Sequence, residues 1–151
     1  MGSEHSLKAV LPVKVHLYYV GKPRSRESNA LARDYVERAQ RFARCEMREI
    51  HPLRFDPWQR HPAASKILLD PAGRAMDSTR IAALFEKAER EGRDLVFVVG
   101  GADGLPETWR ARADLLLSLS PMTLPHELAR VLVAEQIYRA FATLRGHPYP
   151  R

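Results

Sequence analysis

The chain has 151 residues, enough for one domain with a single sizeable core. Lys and Arg total 24 against 18 Asp and Glu, and the net charge of +6 suits a polyanionic partner such as nucleic acid. The one cysteine, Cys45, excludes an internal disulfide and a cysteine-clustered metal site, and no apolar run approaches the roughly 20 residues of a membrane span, so a cytoplasmic protein without metal or membrane attachment is expected.

Residues 1–12 lack periodicity and read as a flexible lead-in to a single domain over 13–151. Met1-Gly2 with Ser6 fits the myristoylation pattern formally, but so short a pattern arises often by chance. Val13 to Val20 alternates Val13, Val15, Leu17 and Tyr19 with Lys14, His16 and Tyr18, which predicts a strand. After Ser28, a reasonable helix cap, Leu31, Tyr35, Ala39 and Phe42 recur at helical spacing to about Arg44. Cys45 to His51 offers a second, weakly apolar strand, and Cys45 itself reads as a small buried hydrophobe.

Three prolines between Pro52 and Ala64 argue against regular structure. With Arg54, Phe55, Trp58 and Arg60 the segment reads either as a grip for single-stranded nucleic acid or as a loop pinned to the core by its aromatic rings. Lys66 to Leu69 predicts a buried strand, and Asp70-Pro71-Ala72-Gly73 a turn. A helix follows Asp77 or Ser78, with Ile81, Leu84, Phe85 and Ala88 on one face and Gly92 at its end. Leu95 to Val99 is continuously apolar, as a strand buried on both faces would be. Pro106 opens a short helix to about Ala113, and Leu115 to Leu119 gives the last strand. Alternating strands and helices predict an α/β domain with a mostly parallel sheet.

The final third departs from ordinary core packing. Gly100-Gly101-Ala102-Asp103-Gly104 follows a strand directly, where backbone N–H groups can approach a ligand, although its spacing is neither a dinucleotide fingerprint nor a P-loop. Leu119 to Leu124 forms an extended loop, and Pro125 opens a helix to Thr143. His126 and Arg130 share one stripe of that helix, and Glu135 and Arg139 are placed to pair. A first-turn histidine such as His126 can equally cap the helix or hydrogen-bond locally. Apolar residues, Leu132 and Ile137 among them, wrap most of the helix, so a homodimer is expected to cover what the sheet does not.

Here a resemblance becomes specific. Val99-Gly100-Gly101-Ala102-Asp103-Gly104-Leu105, Ser118 to His126, Arg130 to Ala140 and His147-Pro148-Tyr149 closely resemble the ribosomal RNA large subunit methyltransferase H family of the SPOUT class. The resemblance implies a SPOUT-type α/β fold, a mostly parallel sheet flanked by helices with a C-terminal trefoil knot. It also implies a homodimer that transfers methyl from S-adenosylmethionine to ring nitrogen 3 of a pseudouridine in large-subunit (23S) ribosomal RNA, on the assembled ribosome. Carried over residue by residue, the cofactor contacts are Leu69, Gly100, Leu119, Ser120, Pro121, Met122, Thr123 and Leu124. His126, Arg130, Tyr149 and Arg151 are the candidates for orienting base and phosphate, with no general base assigned.

Two departures stand against the family pattern. Its tail usually reads His-Pro-Tyr-His-Arg, whereas Pro150 stands here in place of the second histidine, and Pro52 to Ala64 is short and proline-rich where the family has a longer lysine-rich segment. They motivate an alternative: a catalytically weak paralogue that binds RNA or S-adenosylmethionine without methylating that site. An unrelated nucleotide-binding enzyme using the glycine loop is a third reading, and the missing fingerprint counts against it.

Overall fold

The computed structural model describes residues 13–149, so the lead-in over 1–12, the Met1-Gly2-Ser6 pattern, Pro150 and Arg151 lie outside the described residues. Strand β1 (Lys14–Val20) is followed by helix α1 (Arg26–Ala39), β2 (Arg44–Ile50), the one-turn α2 (Pro57–Arg60), β3 (Ser65–Ala75) and α3 (Ser78–Glu91). Then come β4 (Leu95–Val99), α4 (Glu107–Arg112), β5 (Leu115–Ser118) and α5 (His126–Leu144). The five strands form one sheet in the order β2-β1-β4-β3-β5, every pair parallel. Helical and loop crossovers between parallel strands leave both faces covered.

One face carries α1, α3 and α5, and their apolar sides meet Val15, Leu17, Ile67, Phe97 and Val99 of the sheet. Phe85 of α3 sits between Phe97 (5.8 Å) and Phe141 of α5 (5.1 Å). Burying side chains of this size stabilises the fold by about 2–3 kcal/mol each. The opposite face carries Tyr18, Ile50, Leu68, Val96 and Val98, under the 51–64 segment and α4, whose Trp109 packs among them. All of β4 is buried, as its continuous apolar run predicts.

Local differences from the expected elements have physical causes. Helix α1 starts earlier because Ser25, not Ser28, is the cap; its side chain accepts from the Ser28 N–H at 3.1 Å. It ends at Ala39 because the chain turns there, Phe42 N–H donating to the Ala39 carbonyl at 2.9 Å, and the Gln40 amide donates to the Cys45 carbonyl at 2.9 Å. Leu31, expected on the apolar face, is 47% exposed. Tyr18, expected on the polar side of β1, is fully buried because the second sheet face is also covered.

Within the proline-rich segment, Asp56 caps α2 and Pro57 occupies its first turn, where a missing N–H costs nothing. Phe55 packs on Tyr18 (4.8 Å) and Trp58 on Trp109 (5.7 Å), so the segment is pinned to the sheet. The expected turn at Asp70 to Gly73 is a bulge inside a longer β3: Leu69 and Arg74 both pair with Leu117. The Asp70 carboxylate accepts from the Ala72 N–H at 2.9 Å, and a Cβ on Gly73 would lie 2.5 Å from the Leu116 carbonyl oxygen, so only glycine fits there. Cys45 is buried on β2, and burial pushes its thiol up to about 12, leaving it unreactive.

Helix α5 is less available to a second copy than its composition suggests. Ile137 is 1% exposed and packs within the chain, whereas Leu128 (43%) and Leu132 (36%) stand out with Leu31 of α1. Arg139 and Glu135 pair as their spacing predicts, at 2.8 Å. No helix of the described residues is long and apolar enough to cross a membrane, and no group of three or more His, Cys, Asp or Glu among them could hold a metal ion.

Candidate functional site

The carboxyl ends of β3, β4 and β5 open onto a cavity of about 260 Å³. That is near the lower end of small-molecule sites, at about 300 Å³, and the place in open α/β sheets where ligands bind. Its floor is the turn after β4. Gly104 N–H donates to the Gly101 carbonyl at 3.0 Å, and Gly104 takes a left-handed φ of 74°. A Cβ on Gly100 would lie 2.9 Å from the Gly104 carbonyl carbon and 3.1 Å from Leu105 Cγ. The glycine is therefore demanded first by the turn folding back on itself, a reason that spacing alone did not supply.

One wall is the β3 bulge, with Leu69, Asp70 and Pro71. The other is the β5–α5 loop, from which Leu119, Ser120, Met122 and Leu124 line the cavity; Pro121 and Thr123 are exposed and do not. Two serines fix this loop: Ser118 Oγ donates to the Ser120 carbonyl and Ser120 Oγ accepts from the Met122 N–H, each at 3.0 Å. The lining is thus largely leucine and glycine, with a few polar groups at its edges.

Asp70 is the buried charge of this lining, and sequence reasoning read it only as a turn residue. Its carboxylate accepts from Arg110 Nε at 2.7 Å and Nη2 at 2.6 Å, while Glu107 takes Arg110 Nη1 at 2.6 Å. Hydrogen bonding and charge from Asp70 raise the Arg110 pKa. An acid at the carboxyl end of a strand was the available signal; its arginine, forty residues on, was not legible.

His126 begins α5 and lines the cavity. It also borders a smaller neighbouring space with Tyr19, Gly100, Glu127 and Arg130. Arg130 is 1% exposed, stacked 3.9 Å from the Tyr19 ring centre and 3.5 Å from Glu127; its Nε and Nη1 have no hydrogen-bond partner among the described residues. Glu127 in turn accepts from the Ser25 and Arg24 N–H groups at 3.0 and 3.1 Å, and those bonds lower its pKa. This chain of contacts ties the first turn of α5 to the β1–α1 loop.

Tyr149 lies elsewhere. Its hydroxyl donates to Glu135 at 2.9 Å and its ring packs on Tyr138 at 4.5 Å. Burial first, then the Tyr35 hydroxyl and the Glu135 carboxylate, push its pKa up. Glu135 is nine residues along α5 from His126, roughly 14 Å at 1.5 Å per residue. Tyr149 does not line the cavity of its own chain.

Comparison with known proteins agrees with this architecture. The family described as "Predicted SPOUT methyltransferase" matches residues 13–150. Ribosomal RNA large subunit methyltransferase H of Solibacter usitatus is 62% identical, over 92% of this chain and 100% of that protein. Among solved structures, a probable methyltransferase from Bordetella pertussis Tohama I superimposes with TM-score 0.57 at 12% identity, covering 85% of this chain and 96% of that one. A Legionella pneumophila methyltransferase in complex with the bound cofactor SAM gives TM-score 0.52 at 12% identity, over 88% and 67%. At such identities the structures speak for the fold, and the near full-length sequence match decides the rest: this chain is a methyltransferase of the SPOUT family and belongs to the ribosomal RNA large subunit methyltransferase H group.

Proposed function

We propose that this protein transfers the methyl group of S-adenosylmethionine to ring nitrogen 3 of a pseudouridine in large-subunit ribosomal RNA, on the assembled ribosome and as a homodimer. The observation that carries the reading is the cavity itself: Leu69, Gly100, Leu119, Ser120, Met122 and Leu124 meet at the carboxyl ends of three parallel strands. These residues suit the cofactor. Leucine side chains can enclose a flat base, and the glycine turn, which a Cβ at position 100 would disrupt, exposes backbone to a polar ligand. Pro121 and Thr123 would serve by shaping the loop rather than by touching the ligand.

When bound, S-adenosylmethionine supplies a methyl group on a sulfonium, open to in-line attack by nitrogen. The chain's part is mostly positioning. His126 at the cavity edge would orient the base, and Arg130, stacked on Tyr19 and paired with Glu127, would hold that first turn in place. The imide nitrogen must lose its proton, or its carbonyl oxygens must be stabilised as charge develops. Tyr149, bonded to Glu135 roughly 14 Å along α5 from His126, would support a tail that, with Arg151, serves the cavity of a second copy. Exposed Leu31, Leu128 and Leu132 supply apolar surface for that copy.

Incubating the protein with labelled S-adenosylmethionine and large subunits lacking the modification tests the reading. Label is expected in large-subunit RNA at one pseudouridine. Cofactor binding with no transfer would favour the weak paralogue, for which Pro150 and the short Pro52 to Ala64 segment are the motives.

A further inference from the structure

On the sheet face away from α1, α3 and α5, residues in register across the strands point the same way. Glu46, His16, Val96 and Lys66 form one such row. Lys66 is 2% exposed, and its backbone N–H donates to the Asp114 carboxylate at 2.8 Å. Burial lowers its pKa; Asp114 opposes that, and Arg112 and Arg93 add to it.

Arginines surround this row. Arg112 lies 4.4 Å over the Trp58 ring and Arg48 5.5 Å over Phe55, while Arg60 and Arg93 are exposed nearby. Stacking on a ring holds a guanidinium flat with its N–H edges free to donate outward. An arginine thus already lies over one face of each ring, leaving that face less open to a nucleobase.

Acids on this face are already engaged. Glu46 is bonded to His16 at 2.5 Å, Asp56 caps α2, and Asp114 accepts from the Lys66 N–H at 2.8 Å. Arg112 and Asp56 approach only to 4.0 Å, and Arg93 and Glu91 to 3.9 Å, in exposed pairs that stabilise little. Exposed guanidinium groups gathered around this face, with the nearby acids already engaged, make a site for phosphate oxygens.

We infer that this face is an RNA-backbone docking surface, on which the exposed Arg48, Arg60, Arg93 and Arg112 take phosphates flanking the nucleotide that enters the cavity. The inference deepens the function proposed above and rests on it. Val96, beside Lys66, is three residues from Val99 at the cavity floor, roughly 10 Å at about 3.3 Å per residue, so one RNA segment can span both. The 51–64 segment packs on this face through Phe55 and Trp58 and carries Arg60, whose charge acts on Tyr18 of the sheet.

The test compares two exposed charge reversals, Arg60→Glu with Arg93→Glu on this face and Arg80→Glu with Arg90→Glu on α3. Affinity for a large-subunit ribosomal RNA transcript is measured by filter binding across a salt series, with S-adenosylhomocysteine affinity by calorimetry as the control. The first pair should weaken RNA binding by about tenfold or more and flatten the log–log salt dependence by about 1.4 to 1.8, the loss of two phosphate contacts. Its cofactor affinity should not change. Equal weakening by both pairs, or by neither, overturns the docking surface. If the wild type binds RNA in this way but transfers no methyl group, the proposed function fails and the surface stands. If transfer to ribosomes keeps its KM in the first pair, the surface fails and the function stands.

Discussion

Replacing Gly100 by Ala tests the cavity floor with one methyl group. The added Cβ would sit 2.9 Å from the Gly104 carbonyl carbon, 3.1 Å from its Cα and 3.1 Å from Leu105 Cγ. Comfortable carbon contacts are about 3.5–4.0 Å, so the 100–105 turn must move by about half an ångström or more. Overpacking of this kind costs about 1–3 kcal/mol. The turn is largely exposed and the sheet beneath it is not, so the strain falls on the turn and on whatever binds there. Calorimetric titration with S-adenosylhomocysteine should show affinity weakened about 5- to 150-fold, with the melting temperature lowered by about 2–4 °C for each kcal/mol of strain that the folded turn retains. Gly100→Val should be worse. Wild-type affinity in Gly100→Ala would refute the placement of the ligand on this turn.

Leu128→Glu with Leu132→Glu should dissociate a dimer into folded monomers by light scattering, whereas Ile137→Glu, at a 1% exposed site, should cost more than about 4 kcal/mol and unfold the chain; a folded dimer in the first variant moves the interface elsewhere. Mixing a His126→Ala protein with one lacking the tail after Gly146 should restore methyl transfer through heterodimers with one intact site, and no recovery in a mixture proven to exchange subunits would count against a tail shared between copies. Burial, then the charges of His16 and Arg60, lower the His61 pKa to about 4 from 6.5, so the unfolded chain binds the extra proton between those values. Stability should thus be full above pH 6.5 and fall towards pH 4, by on the order of 1 kcal/mol after solvent screening. His61→Gln, compared by urea unfolding at pH 7 and 4.5, should flatten that slope; an unchanged slope would show that other groups carry it.

Elements with strong local signals were legible. The continuous Leu95–Val99 run reads as a doubly buried strand, and Asp77 and Gly92 mark α3 because a carboxylate caps an N-terminus and glycine tolerates the left-handed end. The 52–64 segment misled, since three prolines suppress periodicity while Asp56 and Pro57 still form a helical turn. The Gly100 loop and the Leu119–Leu124 stretch stood out in the sequence as a glycine run after a strand and an extended loop, but their cofactor role, and that of Leu69, came through the family motifs. Asp70 was missed as a lining residue because its meaning depends on Arg110, a partner that only the packing of α4 against the bulge supplies.

By itself the sequence determined the alternation of strands and helices, the parallel sheet and the family, because hydrophobic period, caps and ordered motifs are written in neighbouring residues. Tertiary structure alone decided what depends on residues far apart in the chain. It turned Asp70 to Gly73 into a bulged wall instead of a plain turn, since Leu69 and Arg74 share Leu117. It buried Ile137 and left Leu128 and Leu132 outside, since α1 and α3 claim the other sides of α5. It also set Tyr149 on Glu135, away from its own chain's cavity, a separation that no local pattern encodes.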